Sequence, residues 1–278
     1  MIPTPTPTPG FWVHDLDPVA LRFPEGWPLH GIHWYGLAYA GAFILGAWLL
    51  ARSRRLGLSP LRDAADESTL MTFLMVGVVL GGRLGHVILY ARDQFLADPS
   101  MILRVWEGGM AFHGGVLGAL LGLAWFAQQR GLSVLSVGDL VCACATPGLL
   151  LGRLANFVNA ELVGRPTDLP WAVVFPWPGG LWTPPVHPSQ LYEALLEGAL
   201  LGVWMLLRQP LRLPPGRLGG EFLLGYAAAR FLCEFVRLPE DGYILGLTAG
   251  QFWCLPMAIA GIFLILRTRS LPRQPSSR

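Results

Sequence analysis

Three arginines, Arg83, Arg153 and Arg230, lie inside otherwise apolar runs of the chain. A guanidinium keeps its charge at any physiological pH, and its planar fork of donors matches the oxygens of a phosphate two at a time. Burying one at mid-bilayer costs from about 2.5 to more than 10 kcal/mol, so each such position is a candidate site. Other polar residues gather with them. Arg153 and Asn156 are three apart and share a helical face, and Asn159, Glu161 and Gly164 follow directly. Arg230, Glu234 and Arg237 form a second ladder, with Tyr226 one turn ahead of it. His113, in Phe112-His113-Gly114-Gly115, and His187 supply imidazoles, the side chain whose ordinary pKa lies nearest neutrality; Tyr35, Tyr192 and Glu193 complete the set. Glycines crowd the same stretches, at Gly81, Gly82, Gly108, Gly109, Gly114, Gly115, Gly148 and Gly152. They let helix backbones approach and leave room for a ligand. The chemistry that fits is recognition of an anionic phospholipid headgroup beside a base, hence a transferase acting on a lipid. The rival is an anion transporter or channel, which would need polar groups through the whole membrane thickness.

Simpler readings compete at several of these positions. Arg83 could be spent on backbone carbonyls, Arg230 with Glu234 could be a structural i, i+4 pair, and Glu193 and Glu197 could be acids packed between helices. His86 reads as a packed or interfacial residue. His113 and Arg153 resist such readings, because neither has an evident charge partner in the sequence.

The elements that must hold these residues follow from composition. The chain has 278 residues, of which 53% are hydrophobic and 14% charged, with a mean hydropathy of +0.48. Soluble domains carry about 25% charged residues, so a soluble domain, a disordered chain and a nucleic-acid module are excluded. An all-α, polytopic membrane protein remains. All 20 basic residues are arginine, against 18 acids, leaving a net charge of +2; placement, not bulk charge, carries the information. Seven segments approach the roughly 20 apolar residues a bilayer requires: 34–51, 69–90, 110–128, 139–158, 189–208, 219–237 and 248–266. Twelve arginines (Arg52, Arg54, Arg55, Arg62, Arg130, Arg208, Arg212, Arg217, Arg267, Arg269, Arg273 and Arg278) flank one side, and five (Arg22, Arg92, Arg104, Arg165 and Arg237) the other. The positive-inside rule puts the N-terminus outside and the C-terminus in the cytoplasm. Trp27, Trp34, Tyr35, Tyr90, Trp106, Trp171, Trp177 and Trp182 then form an outer aromatic belt. At a rise of about 1.5 Å per residue, the three intramembrane arginines share a depth of roughly 8–10 Å below the outer surface, which suggests one site.

The organisation expected is an extended lead-in over 1–30, a membrane domain over 31–266 with an outer loop at about 159–188, and a basic tail over 267–278. The Thr-Pro start has neither the basic nor the apolar region of a cleavable signal peptide. Cys142, Cys144, Cys233 and Cys254 lack metal or redox spacing and read as small buried hydrophobes. Ser59-Pro60 reads as a helix start, with Asp63, Asp66 and Glu67 suiting its N-terminus rather than a metal.

The run from Gly152 to Gly164, Gly-Arg-Leu-Ala-Asn-Phe-Val-Asn-Ala-Glu-Leu-Val-Gly, resembles the signature of the prolipoprotein diacylglyceryl transferases. The likeness extends through His33-Trp34-Tyr35-Gly36, Gly81-Gly82-Arg83, the stretch from Trp106 to Gly115, His187-Pro188-Ser189-Gln190-Leu191-Tyr192-Glu193, and the Tyr226, Arg230, Glu234, Arg237 pattern. It departs at His86, where the family more often has tyrosine, and in an outer loop shorter than in some members. The resemblance implies a bacterial inner-membrane enzyme whose site faces the outer leaflet. Its partners would be phosphatidylglycerol and preprolipoprotein signal peptides bearing a lipobox cysteine; no metal, other cofactor or nucleic acid is implied. His113 would be the base toward the cysteine, and Arg153 and Arg230 would hold the phosphate. Tyr35, Arg83, Asn156, Asn159, Glu161, Gly164, His187, Tyr226, Glu234 and Arg237 would bind substrate or shape its pocket.

Overall fold

A computed structural model of the chain describes residues 3–24, 26, 31–104, 108–239 and 242–271. Trp27, Trp106, Glu107, Arg273 and Arg278 lie outside the described residues. The protein is mostly helical. Strands β1 (Trp12–Val13), β2 (Val19–Arg22) and β3 (Gly31–His33) precede α1 (Trp34–Arg55), α2 (Ala64–Tyr90), the short α3 (Arg92–Ala97), α4 (Phe112–Gln129) and α5 (Val134–Val158). Strands β4 (Val173–Val174), β5 (Pro176–Trp177) and β6 (Leu181–Trp182) shape the long loop after α5. Then come α6 (Ser189–Leu211), α7 (Arg217–Cys233), the hairpin β7 (Tyr243–Ile244) and β8 (Leu247–Thr248), and α8 (Ala249–Arg267). Among the described residues five helices, α1, α2, α5, α6 and α8, are long and apolar enough to cross a membrane. The third and sixth expected segments form α4 and α7, of 18 and 17 residues, which fall short of that standard.

Two boundaries differ from the sequence reading. The cap of α2 is Asp63, whose carboxylate accepts the Asp66 N–H at 2.8 Å. Ser59 instead accepts from the Leu61 N–H and closes a local turn. Asp66 pairs with Arg130 at 3.0 Å. The helix α7 stops at Cys233, so Arg230, Glu234 and Arg237 are not one helical ladder. Pro239 disfavours helical dihedrals at the residue before it, and the Phe235 and Val236 N–H groups bond only three residues back, to the carbonyls of Leu232 and Cys233.

The described residues divide into two compact units, 50–140 in one and those before Leu50 and after Leu140 in the other, the division falling within α1 and α5. In the first, α2 and α4 meet backbone to backbone. A Cβ at Gly77 would strike the Gly118 carbonyl, and one at Gly81 the Gly114 carbonyl, with the converse clashes from Gly114 and Gly118. In the second, α5, α6 and α7 share a core of Ala143, Leu201, Met205 and Leu218. The loop after α5 has its own core of Val163, Val173, Phe175 and Val186.

Candidate active site

The first turn of α6 delivers Glu193, and a π-helical stretch, Ala194–Leu200, delivers Glu197. Such widened turns recur at functional sites. Gly198 lies in that stretch, and a Cβ there would come within 2.6 Å of the Leu150 Cα, so α6 crosses α5 closely just ahead of Arg153. Both glutamates are fully buried. Arg153 donates through Nε and Nη2 to Glu197 Oε2, at 3.2 and 3.0 Å, and its Nη1 is 3.2 Å from Glu193 Oε2. Arg230 reaches Glu193 Oε1 at 2.5 Å and Glu234 Oε1 at 2.5 Å. Arg237 donates to Glu193 Oε1 at 2.9 Å. Glu234 in turn accepts from the Thr248 hydroxyl, the N-cap of α8, at 2.6 Å. A Cβ at Gly250 would overlap Glu234, so glycine admits the carboxylate to that helix N-terminus, where the helix dipole favours negative charge. Three arginines and three glutamates thus form one buried network. Burying such ions is tolerable only when each is paired and hydrogen-bonded.

Beside this network the chain leaves α5 in a tight reversal. The Glu161 N–H bonds the Asn156 carbonyl at 2.9 Å and the Ala160 N–H bonds the Phe157 carbonyl at 3.1 Å. These two bonds are those of a Schellman helix end. Its left-handed position is occupied by Ala160, at φ 56°, and Leu162 follows at φ 57°. Non-glycine residues there are held by their surroundings. Gln190 donates to the Glu161 carbonyl at 2.5 Å and Ser189 to that of Leu162 at 2.9 Å. The reversal sets Asn156 Nδ2 3.2 Å from Glu161 Oε2 and 3.4 Å from the Tyr35 hydroxyl. Gly164 then passes between two strands of chain: a Cβ there would meet the carbonyls of His187 and Val236. Asn159 Oδ1 is buried with no hydrogen-bond partner among the described residues.

Of the expected site residues, Tyr35, Asn156 and Glu161 are linked in one set and Arg153, Arg230, Glu234 and Arg237 in another, one turn apart along α5 at Arg153 and Asn156. Gly164 and His187 are joined by the Gly164 N–H on the His187 carbonyl, at 3.1 Å. The His187 ring lies edge-on to Tyr192, whose hydroxyl accepts from Trp171 Nε1 at 2.7 Å; burial pulls the His187 pKa down. Tyr226 stacks on Phe222 along α7. Arg83 and His113 belong to the other unit. Arg83 is buried and its guanidinium donates to the carbonyls of Met101, Ile102, Arg104, Gly108 and Gly109. It thereby holds the backbone of Gly108 and Gly109 just ahead of α4, where His113 stands exposed in the first helical turn. Among the described residues no cluster of histidine, cysteine or acid is arranged to hold a metal.

The reading of Arg153 as lacking a charge partner is corrected by Glu193 and Glu197, and the role of these two acids as the common counter-charge was missed. The signal was present: cations buried in apolar runs require anions in such runs, and Glu193 and Glu197 stand one turn apart in the fifth. The charges that they neutralise are 33–44 residues away along the chain, beyond any local spacing.

The profile of the family described as prolipoprotein diacylglyceryl transferase matches residues 19–267. A protein of Methylococcus capsulatus named phosphatidylglycerol–prolipoprotein diacylglyceryl transferase is 45% identical over 258 residues, covering 90% of this chain and 94% of that protein. Proteins of the same name from Ruegeria pomeroyi and Gluconacetobacter diazotrophicus are 44% identical over 270 residues and 47% over 254, covering 87% and 88% of this chain and 91% and 89% of their own. The signature turn, the charged network behind it and a likeness that runs almost from end to end agree, and the chain belongs to the prolipoprotein diacylglyceryl transferase family.

Proposed function

We propose that this protein transfers the diacylglyceryl group of phosphatidylglycerol to the thiol of a lipobox cysteine in preprolipoproteins, the first step of bacterial lipoprotein maturation. It would act in the inner membrane through seven spans, N-terminus outside, with the site toward the outer leaflet. The supporting observation is the asymmetry of the ion network. The side chains of Arg153 and Arg230 are 17% and 16% exposed, whereas Glu193 and Glu197 are fully buried. The acids hold the guanidiniums from behind and leave their outer surface reachable by an anion.

The reaction places growing charge where those guanidiniums face. The cysteine sulfur forms a bond to the glycerol carbon that carries the phosphate, the carbon–oxygen bond breaks with its electron pair going to oxygen, and glycerol phosphate leaves as a dianion. Three carboxylates cancel the charge of three arginines, so the site offers orientation more than net potential. Donors fixed in advance at the developing charge stabilise the transition state beyond the ground state. Asn159 Oδ1 is a buried acceptor suited to a hydroxyl of the glycerol headgroup. Asn156, Glu161, Tyr35 and Gly164 set the pocket wall, with Tyr226 and His187 alongside; Arg83 orders the turn before His113.

A thiol of pKa about 8.5 is only a few per cent ionised at pH 7, a deficit of about 2 kcal/mol that a base removes. His113 takes that part. His113→Gln should lose turnover at pH 7 and regain it as the pH approaches the thiol pKa; a loss independent of pH would assign the imidazole to the headgroup instead. The reading as a whole is tested by incubating membranes that hold the protein with radiolabelled phosphatidylglycerol and a lipobox peptide. Label should pass to the peptide and not to its Cys→Ser counterpart; anion flux without transfer would overturn it.

A further inference from the structure

The segment ahead of residue 19, outside the portion matched by the family profile, is tied to the signature turn by one buried histidine. His14 is 3% exposed. Its backbone N–H bonds the Val174 carbonyl at 2.9 Å, continuing the parallel pairing of β1 with β4, and Thr4 pairs with Trp182 further along the same strap. The His14 Nε2–H reaches the Phe157 carbonyl at 2.8 Å. The ring sits edge-on to Phe157, 5.4 Å between centroids, and 5.0 Å from Phe175, while Trp12 stacks on Phe157 and meets the His14 ring edge-on.

The atom His14 engages has a defined place in the site. The Phe157 oxygen already accepts the Ala160 N–H, one of the two bonds of the Schellman end that sets Asn156 against Glu161. A carbonyl has two lone pairs, and His14 takes the second. Glycine normally fills the left-handed position of this motif because it needs no strain there. Here alanine fills it, at φ 56°, so the turn depends on outside support. Gln190 and Ser189 support it from the α6 side, at residues 161 and 162; His14 is the support at its helical end.

We propose that His14 is a positioning residue for the reaction, clamping the end of α5 so that Arg153, Asn156 and Glu161 keep their mutual geometry. The inference rests on the transferase reading for its kinetic part and on the structure alone for the clamp. It is tested on the full chain in membranes or detergent with two variants. His14→Phe keeps the ring volume and removes the donor; His14→Gln restores a donor at similar reach. Amide hydrogen exchange at Ala160 and Glu161 should speed up at least tenfold in His14→Phe and return near the original rate in His14→Gln. With labelled phosphatidylglycerol and a lipobox peptide, kcat should fall about tenfold to a hundredfold in His14→Phe, with KM for the lipid within about threefold, since small misplacements of reacting groups act on turnover. Adding Ala160→Gly to His14→Phe should recover part of the loss by relieving the turn. Unchanged exchange in His14→Phe overturns the clamp, and so does an equal loss in both variants. Altered exchange with unchanged kcat overturns the positioning role. A parent protein that transfers no label refutes the transferase reading, and the exchange rates still decide the clamp.

Discussion

Between α2 and α4 the contact is main chain against main chain, Gly77 and Gly81 lying on the carbonyls of Gly118 and Gly114. Among α5, α6 and α7 the contact is made by charged side chains, with Glu193 and Glu197 buried under Arg153, Arg230 and Arg237. Lipid tails are as apolar as leucine, so burial alone does not drive helices together in a bilayer, and close packing or polar pairing must do it. The glycine contact is short-ranged and indifferent to charge; it fails when a methyl group is added. The ionic contact tolerates looser packing but fails when one charge is removed, because the others stay behind uncompensated. Under the proposed function the second kind, and not the first, also supplies the donors for a phosphate.

The largest effect expected from this contrast comes from Glu193→Gln. The change is nearly isosteric, yet it removes the counter-charge that three arginines share. Breaking a buried pair typically costs about 3–5 kcal/mol, and transfer should drop more than a hundredfold. Denaturant unfolding in detergent beside the transfer assay gives both numbers; a stability change under about 1 kcal/mol would mean that the arginines do not depend on this acid. Next is Arg153→Lys. Lysine keeps the charge but cannot span Glu197 through Nε and Nη2 while facing a phosphate. Turnover should fall about a hundredfold, equivalent to about 2.7 kcal/mol, with smaller damage to stability; near-normal turnover would sink the bidentate role. In the other unit, Gly118→Val should destabilise by about 1–3 kcal/mol through overpacking. Gly138→Ala is the control, because a Cβ at Gly138 meets nothing within 4 Å. If both substitutions were equally mild, close backbone approach would not be what joins α2 to α4.

The same contrast explains what could be read from the chain. Helical segments and their buried arginines are local patterns, and the helices lie close to where hydropathy placed them. The Arg153 to Gly164 stretch was also legible, because its members are neighbours in sequence. Glu193 was recognised as polar and near the site, but its task depends on residues 153, 230 and 237, which only packing brings to it. The end of α7 was misplaced because Arg230, Glu234 and Arg237 have helical spacing, while turns after Cys233 preserve their proximity by other means. His14 was invisible for a similar reason: a lone histidine in an extended lead-in carries no signal until β1 pairs with β4.

The smallest effect expected concerns that histidine. Desolvation lowers the His14 pKa below its ordinary 6.5, against a smaller opposing pull from the Phe157 carbonyl and from Asp15; otherwise its ring faces Trp12, Phe157 and Phe175. A group with a depressed pKa when folded binds its proton more readily when released. Its contribution is therefore complete above pH 6.5 and is lost as the pH falls below that toward the folded value. Amide exchange at Ala160 and Glu161 should accelerate as the pH drops through this range, once corrected for the intrinsic pH dependence of exchange. His14→Gln should show no such acceleration. The Gly77 and Gly118 amides of the glycine contact, where the nearest neighbours of each glycine are backbone atoms, should keep constant protection over the same range. If they loosen in parallel with Ala160, the acid response belongs to the whole protein and not to the clamp.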